Sequence, residues 1–207
     1  MTGIPQLMLH GMIGEDNAAP TFVSAFLEQN PGPVLFNINS PGGLATEGAA
    51  IMAAMQRHGQ VTVQVDGLAA SAASLAMIGG KRIILHPAAL VMVHEPSALV
   101  FGPADDMRAT ADALDKMTLV YALAYARATG NPLARVAAWM KTETWMTAEE
   151  AVSLNFADEI GGDTPPAMVA AFDYSRFVSA PAHLVTLARQ NGWATVSPVS
   201  GKENQNA

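Results

Sequence analysis

Hydrophobic and polar positions along the first hundred residues switch repeatedly between a period of two and a period near 3.6. QLMLHGM, residues 6–12, is a short apolar strand, and Phe22, Phe26 and Leu27 put helical spacing on residues 20–28. VLFNIN (34–39) reads as a strand, residues 46–56 as an alanine- and methionine-rich helix, and VTVQVD (61–66) as the next strand. A further helix starts in GLAASAAS (67–74) and ends at Gly79-Gly80, after which RIIL (82–85) and ALVMVH (89–94) return to strand. This βαβα order predicts an α/β fold of repeated units, with crossover helices and a mostly parallel sheet.

The second half is more helical. Residues 105–129 form one long pattern, DDMRATADALDKMTLVYALAYARAT, with Gly130 as its stop. Met107, Leu114, Met117, Leu119, Val120 and Leu123 are too many apolar residues for a solvated helix, so this element either folds onto the domain or projects to meet another surface. Residues 133–140 are a further helix, and Thr147 with Glu150 makes a capping box that opens another. Beyond Ile160 the composition changes. GGDTPP is a linker, which divides the chain into a domain of residues 1–162 and a partly helical tail, 163–207, ending in the polar GKENQNA, whose composition predicts disorder.

Composition narrows the function. The 207 residues are 50% hydrophobic, enough for one well-packed domain. A net charge of -7 with 11 Lys+Arg leaves no basic stripe, which argues against nucleic acid or an anionic membrane as partner. With no cysteine there is no disulfide, no thiolate nucleophile and no Cys-ligated metal. The start lacks the basic and apolar regions of a signal peptide, and the apolar runs fall short of the ~20 residues a spanning helix needs. A soluble, cytoplasmic protein is expected.

Three segments could carry chemistry. In NSPGG (39–43), glycines at a strand end let backbone N–H groups face a ligand, or simply make a tight turn. In GLAASAAS, Ser71 stands at a helix start, where free N–H groups and the helix dipole favour an oxyanion; close packing through small residues is the competing explanation. Ser74, one turn further, suits an internal helix serine bonding back to a carbonyl. His94 ends an apolar strand, and in parallel sheets ligands gather at strand carboxyl ends. His10, His58, His86 and His183 are worse placed, and no second histidine stands at helical spacing from His94, so a metal site is rejected and no cofactor is expected.

INSPGG, VDGLAASAAS, LVMVHEP and ETWMTAEEAVSLNFADEI, in that order over residues 6 to 160, resemble the proteolytic subunit of Clp protease, and more closely its phage relatives, the Clp-like head maturation (prohead) proteases. The resemblance implies a ClpP/crotonase fold and a serine endopeptidase with a Ser-His-acid triad. Ser71 matches the nucleophile and His94 the general base; backbone N–H groups of Gly42 or Gly43 and of Ala72 match the oxyanion hole. The third member, usually Asp, falls on Glu143 in an ungapped alignment, with Asp158, Glu149 and Glu150 as rivals. The resemblance also implies homo-oligomeric rings with residues 105–129 as the handle between them. Its expected substrates are proteins or peptides, capsid or scaffold proteins among them, in the host cytoplasm or the prohead. The chain starts almost at its first strand, without the family's axial-pore segment, which counts against docking to an ATP-driven unfoldase.

Two readings from other classes are a non-catalytic shell or scaffold subunit, which the altered acid favours and the intact Ser71 and His94 oppose, and a crotonase-type acyl-CoA enzyme, for which no CoA site is marked. A serine-lysine peptidase lacks a persuasive base among Lys81, Lys116, Lys141 and Lys202.

Overall fold

Apolar residues at every second position build the centre of the sheet. In β1 (Gln6–Ile13), β2 (Val34–Gly43) and β3 (Val61–Ala70), the side chains of Leu7, Leu9, Val34, Phe36, Ile38, Val61, Val63 and Val65 are all buried on one face. Over that face α1 (Pro20–Gln29) sets Val23 and Leu27, and α2 (Ala45–His58) sets Ile51, Ala54 and Met55, which makes one continuous core. Pro20 opens α1, where its missing N–H costs nothing, and Gly59 closes α2 in the left-handed conformation, its N–H donated to Met55 O at 3.0 Å. The computed structural model describes residues 3–161 and 170–194.

β1, β2 and β3 run parallel, as do β4 (Arg82–Leu85) and β7 (Glu159–Ile160) beyond them, in the order β1-β2-β3-β4-β7. The strand that positions the site is β3, because it changes neighbour part-way along. Thr62 to Val65 pair with β4, whereas Leu68 to Ala70 pair with β5 (Leu90–Val93). The shift coincides with an irregularity against β2, where Ile38 pairs with Val65 but Ser40 with Ala69, so β3 carries extra residues around Asp66-Gly67 and bends there. β5 in turn pairs antiparallel with β6 (Thr144–Thr147).

The next helices along the chain are α3 (Ala72–Met77), buried along its whole length, α4 (Ala104–Thr129), α5 (Leu133–Lys141) and α6 (Ala148–Ser153). α4 has 26 residues, about 39 Å of helix. Its C-terminal half is seated, through Met117, Tyr121, Ala122, Tyr125 and Thr129, while Met107, Leu119 and Val120 stand exposed. Gly130 stops it at φ 71°, as expected from the sequence. Thr147 and Glu150 form the capping box of α6, the Thr147 Oγ1 accepting from Glu150 N at 3.2 Å and Glu150 Oε2 accepting from Thr147 N at 2.9 Å.

The chain divides into two compact units, Met1–Ala170 and Ala171–Ala207. In the second, a 3-10 turn, Tyr174–Arg176, is capped by Asp173, and α7 (Ala182–Gln190) buries Leu184 and Ala188. The boundary expected at residues 162/163, the linker after Gly161 and the polar end GKENQNA lie outside the described residues. No helix among the described residues is long and apolar enough to cross a membrane.

Candidate active site

The pairing of β3 with β5 brings two distant sequence segments to one edge. Ala70 and Met92 are register partners at the carboxyl ends of parallel strands, so Ser71 leaves β3 beside the point where His94 leaves β5. Ser71 sits between the end of β3 and the first turn of α3 at φ 56°, ψ −124°, a conformation that costs a non-glycine residue about 1–3 kcal/mol. Its N–H donates to Met92 O at 2.9 Å, which ties the strained residue to β5. Its Oγ lies 2.7 Å from His94 Nε2, the contact that a hydroxyl nucleophile and its base require.

His94 is mostly withdrawn from solvent. Burial lowers its pKa below the ordinary 6.5, opposed in part by the negative charge of Glu143 and, less, by that of Glu95. The lowered pKa favours the neutral imidazole, the form that can accept a proton.

Glu143 reaches this place through the antiparallel pair. Val93 is the register partner of Thr144, so one step outward on each strand sets His94 against Glu143. Glu143 stands just beyond α5, where its N–H donates to Met140 O at 3.2 Å, and it adopts φ 51°. Glycine is the default residue at such a helix end, so a glutamate there points to use of its side chain. The carboxylate is buried, and Trp145 Nε1 donates to its Oε1 at 3.2 Å. Glu95 N donates to Met140 O at 3.2 Å as well, which fastens the segment after His94 to the same helix end.

The rival acids lie elsewhere. Asp158 Oδ2 accepts from Ile83 N at 2.7 Å, at the amino end of β4, the end of the parallel sheet away from Ser71. Glu150 is occupied by its capping box, and Glu149 is exposed beside it.

NSPGG is the extended end of β2 rather than a tight turn. A side chain on Gly42 would lie 2.7 Å from Ala70 O and Ser71 Cβ, and one on Gly43 would lie 2.2 Å from Ile13 O, so both glycines are there for close approach. Of the three expected oxyanion donors, Gly42 has its N–H donated to Ser40 Oγ at 3.1 Å. That leaves Gly43, and Ala72 in the first turn of α3, where helical N–H groups have no intrahelical acceptor. A recess of about 20 Å³ beside Ser71 and His94 is lined by Ala45, Leu75, Pro96, Tyr121 and Tyr125. Neither tyrosine is marked by a motif; their i, i+4 spacing at the seated end of α4 is the signal the sequence offers.

A model of the Clp protease family matches residues 6–164. The chain is 32% identical over 168 residues to the ATP-dependent Clp protease proteolytic subunit 2 of Thermobifida fusca (strain YX), covering 77% of this chain and 82% of that protein. It is 35% identical over 141 residues to the ATP-dependent Clp protease proteolytic subunit of Chlorella vulgaris, covering 66% and 69% respectively. Among solved structures, a ClpP1 point mutant from Listeria monocytogenes superposes with a TM-score of 0.68 at 20% identity, covering 76% of this chain and 91% of that one, a likeness of fold.

Proposed function

Because this chain belongs to the Clp protease family and is a serine peptidase, we propose that it is an endopeptidase in which Ser71 is the nucleophile, His94 the general base and Glu143 the acid that orients His94. The observation that carries this reading is the 2.7 Å contact from Ser71 Oγ to His94 Nε2, made from a strained backbone. His94 Nε2 takes the hydroxyl proton as Oγ attacks the peptide carbonyl carbon, and the oxyanion forms against the N–H groups of Gly43 and Ala72. As the tetrahedral intermediate collapses, the C–N bond breaks and His94 returns the proton to the leaving amine. Water then attacks the acyl-enzyme with His94 again as base, and Ser71 is regenerated. Glu143 holds the imidazole in the tautomer with Nε2 free to accept and stabilises the imidazolium.

Substrate would lie extended between the segment after Gly43 and residues 94–103, which run without helix or ladder, pairing by backbone as an added strand. The recess beside Ser71 and His94 is the candidate pocket for the side chain next to the scissile bond. Rings of subunits would supply access control, with α4 as the handle between them. The exposed Met107, Leu119 and Val120 on α4, together with Leu99 and Phe101, each more than four-fifths exposed, support such an assembly. The setting we propose is head maturation of a phage or prophage, on capsid or scaffold proteins; its support is the resemblance of the four quoted segments.

The test is mass spectrometry after treatment with a serine-reactive fluorophosphonate. Ser71 takes one adduct per chain, Ser40 and Ser74 take none, and His94→Ala suppresses the reaction. A folded protein left unmodified would favour the non-catalytic shell subunit, and modification of Ser74 would move the nucleophile.

A further inference from the structure

Ser74 lies behind the nucleophile, fully buried in α3, and its Oγ has three contacts. It is 2.8 Å from Ser71 O, 2.8 Å from Met92 O and 2.8 Å from Tyr125 OH. Met92 O is also the acceptor of Ser71 N–H, at 2.9 Å. The peptide groups on both sides of Ser71 thus end on one small network. Carbonyl oxygens only accept, so the single hydroxyl proton of Ser74 is directed at Ser71 O and Met92 O, and Tyr125 OH must donate to Ser74 Oγ. Tyr125 is fully buried, and burial holds its phenol protonated far above the ordinary range, so this donor persists at every working pH.

A serine that merely filled space here would not need two carbonyls and a phenol from an element more than fifty residues away. What the network touches is the backbone that must not relax. At φ 56°, ψ −124° Ser71 is held away from its preferred conformations, and relaxation would swing Oγ off His94 Nε2. We propose that Ser74 and Tyr125 are positioning residues for peptide hydrolysis, clamping the Ser71 backbone so that its Oγ stays within reach of His94; this rests on Ser71 being the nucleophile.

The experiment uses the full chain and a fluorophosphonate probe, followed by intact-mass spectrometry for both the rate constant and the final stoichiometry. Parent, Ser74→Ala, Tyr125→Phe and the double variant are compared, with kcat and KM on a fluorogenic peptide. Ser74→Ala and Tyr125→Phe each lower the labelling rate constant and kcat by roughly tenfold or more while KM holds. Final labelling stays at one adduct per chain. The double variant falls no further than Ser74→Ala, because Tyr125 acts through Ser74. A structural role alone would do the reverse, reducing the fraction that labels while that fraction reacts at the parental rate, and this result overturns the proposal. If Ser74→Ala does not accumulate as folded protein, Tyr125→Phe, which removes one oxygen, decides: a parental rate overturns the clamp and a slowed rate at full stoichiometry supports it. A parent that never labels at Ser71 defeats the serine-peptidase reading, and the clamp with it, whereas a labelled parent with equally fast variants defeats the clamp alone.

Discussion

Gly48 is the position where two physical effects give opposite forecasts. It lies inside α2, where exchanging glycine for alanine at an exposed site stabilises a helix by about 1 kcal/mol. Here the new Cβ would fall 2.4 Å from Ala72 O and 3.1 Å from Ala72 C and Cα. That is roughly 1 Å short of ordinary contact. None of these atoms is a flexible side-chain end; all three are backbone, so α2 and the first turn of α3 have to separate. Overpacking of this kind costs about 1–3 kcal/mol, which outweighs the propensity gain by ~0–2 kcal/mol. For a chain of this size that is a fall in Tm of only a few degrees, on the order of 2–4 °C per kcal/mol. Activity is far more sensitive. Ala72 is the proposed oxyanion donor and adjoins Ser71, and a displacement near 1 Å at reacting groups costs roughly a hundredfold in rate.

Gly48→Ala is therefore expected to fold and to melt slightly lower, yet to label with fluorophosphonate and cleave peptide about a hundredfold more slowly. Differential scanning fluorimetry and labelling kinetics on the same preparation check both halves. A variant with raised Tm and parental kinetics would show that α2 yields freely, and would refute the argument that its packing sets the position of Ala72.

Other outcomes follow from the same geometry. Glu143→Gln should lower kcat roughly a hundredfold or more, and Glu143→Asp should keep part of the activity. Because the Glu143 charge raises the His94 pKa against burial, its removal should also move the acidic limb of the kcat/KM profile to lower pH, further below 6.5; an unmoved limb with parental turnover would remove Glu143 from the site. Native mass spectrometry should find a multi-subunit species, and a clean species at the 21.6 kDa chain mass at micromolar concentration would count against the handle role of α4. A chain ending after Gly162 should keep fluorophosphonate labelling at Ser71, whereas loss of reactivity would assign the removed tail to the core or the assembly. Tyr121→Ala should enlarge the recess beside Ser71 and shift peptide preference toward bulkier residues before the scissile bond; an unchanged preference would place that residue's pocket elsewhere.

The order of strands and helices was legible because each central strand places apolar residues at every second position on its buried face. That signal disappears where both faces are covered. β2 continues through SPGG and β3 through GLAA, almost wholly buried, so alternation stops just where the site begins. β6 and β7, four and two residues long, are too short to carry a period, and β6 is the strand that delivers Glu143. Ser71 and His94 could be singled out by their places at a helix start and a strand end. Their contact depends on the change of partner along β3, a tertiary feature that nothing local in VTVQVDGLAA announces. Ser74 was legible as a serine bonding back to a carbonyl, since Ser71 O lies three residues earlier, but its bonds to Met92 and Tyr125 join separate elements.

The same topology suits a glutamate as the proposed third member of the triad. His94 and Glu143 both stand one step beyond the last register pair of an antiparallel ladder, Val93 with Thr144, so their relation is set by backbone pairing and not by a flexible loop. A glutamate carries one methylene more than an aspartate, and in an ordinary extended conformation that length would overshoot a partner directly opposite. Glu143 is not extended: at φ 51° it turns at the end of α5 before entering β6, and Trp145 Nε1 holds one of its oxygens. The turn is what a longer side chain needs if its carboxylate is to end where a shorter one would from straight backbone. Glu143→Asp, which keeps the charge and shortens the reach, and Glu143→Gln, which keeps the reach and removes the charge, therefore separate the two requirements. Partial activity in the first and a large loss in the second is the pattern expected if charge outweighs reach at this position.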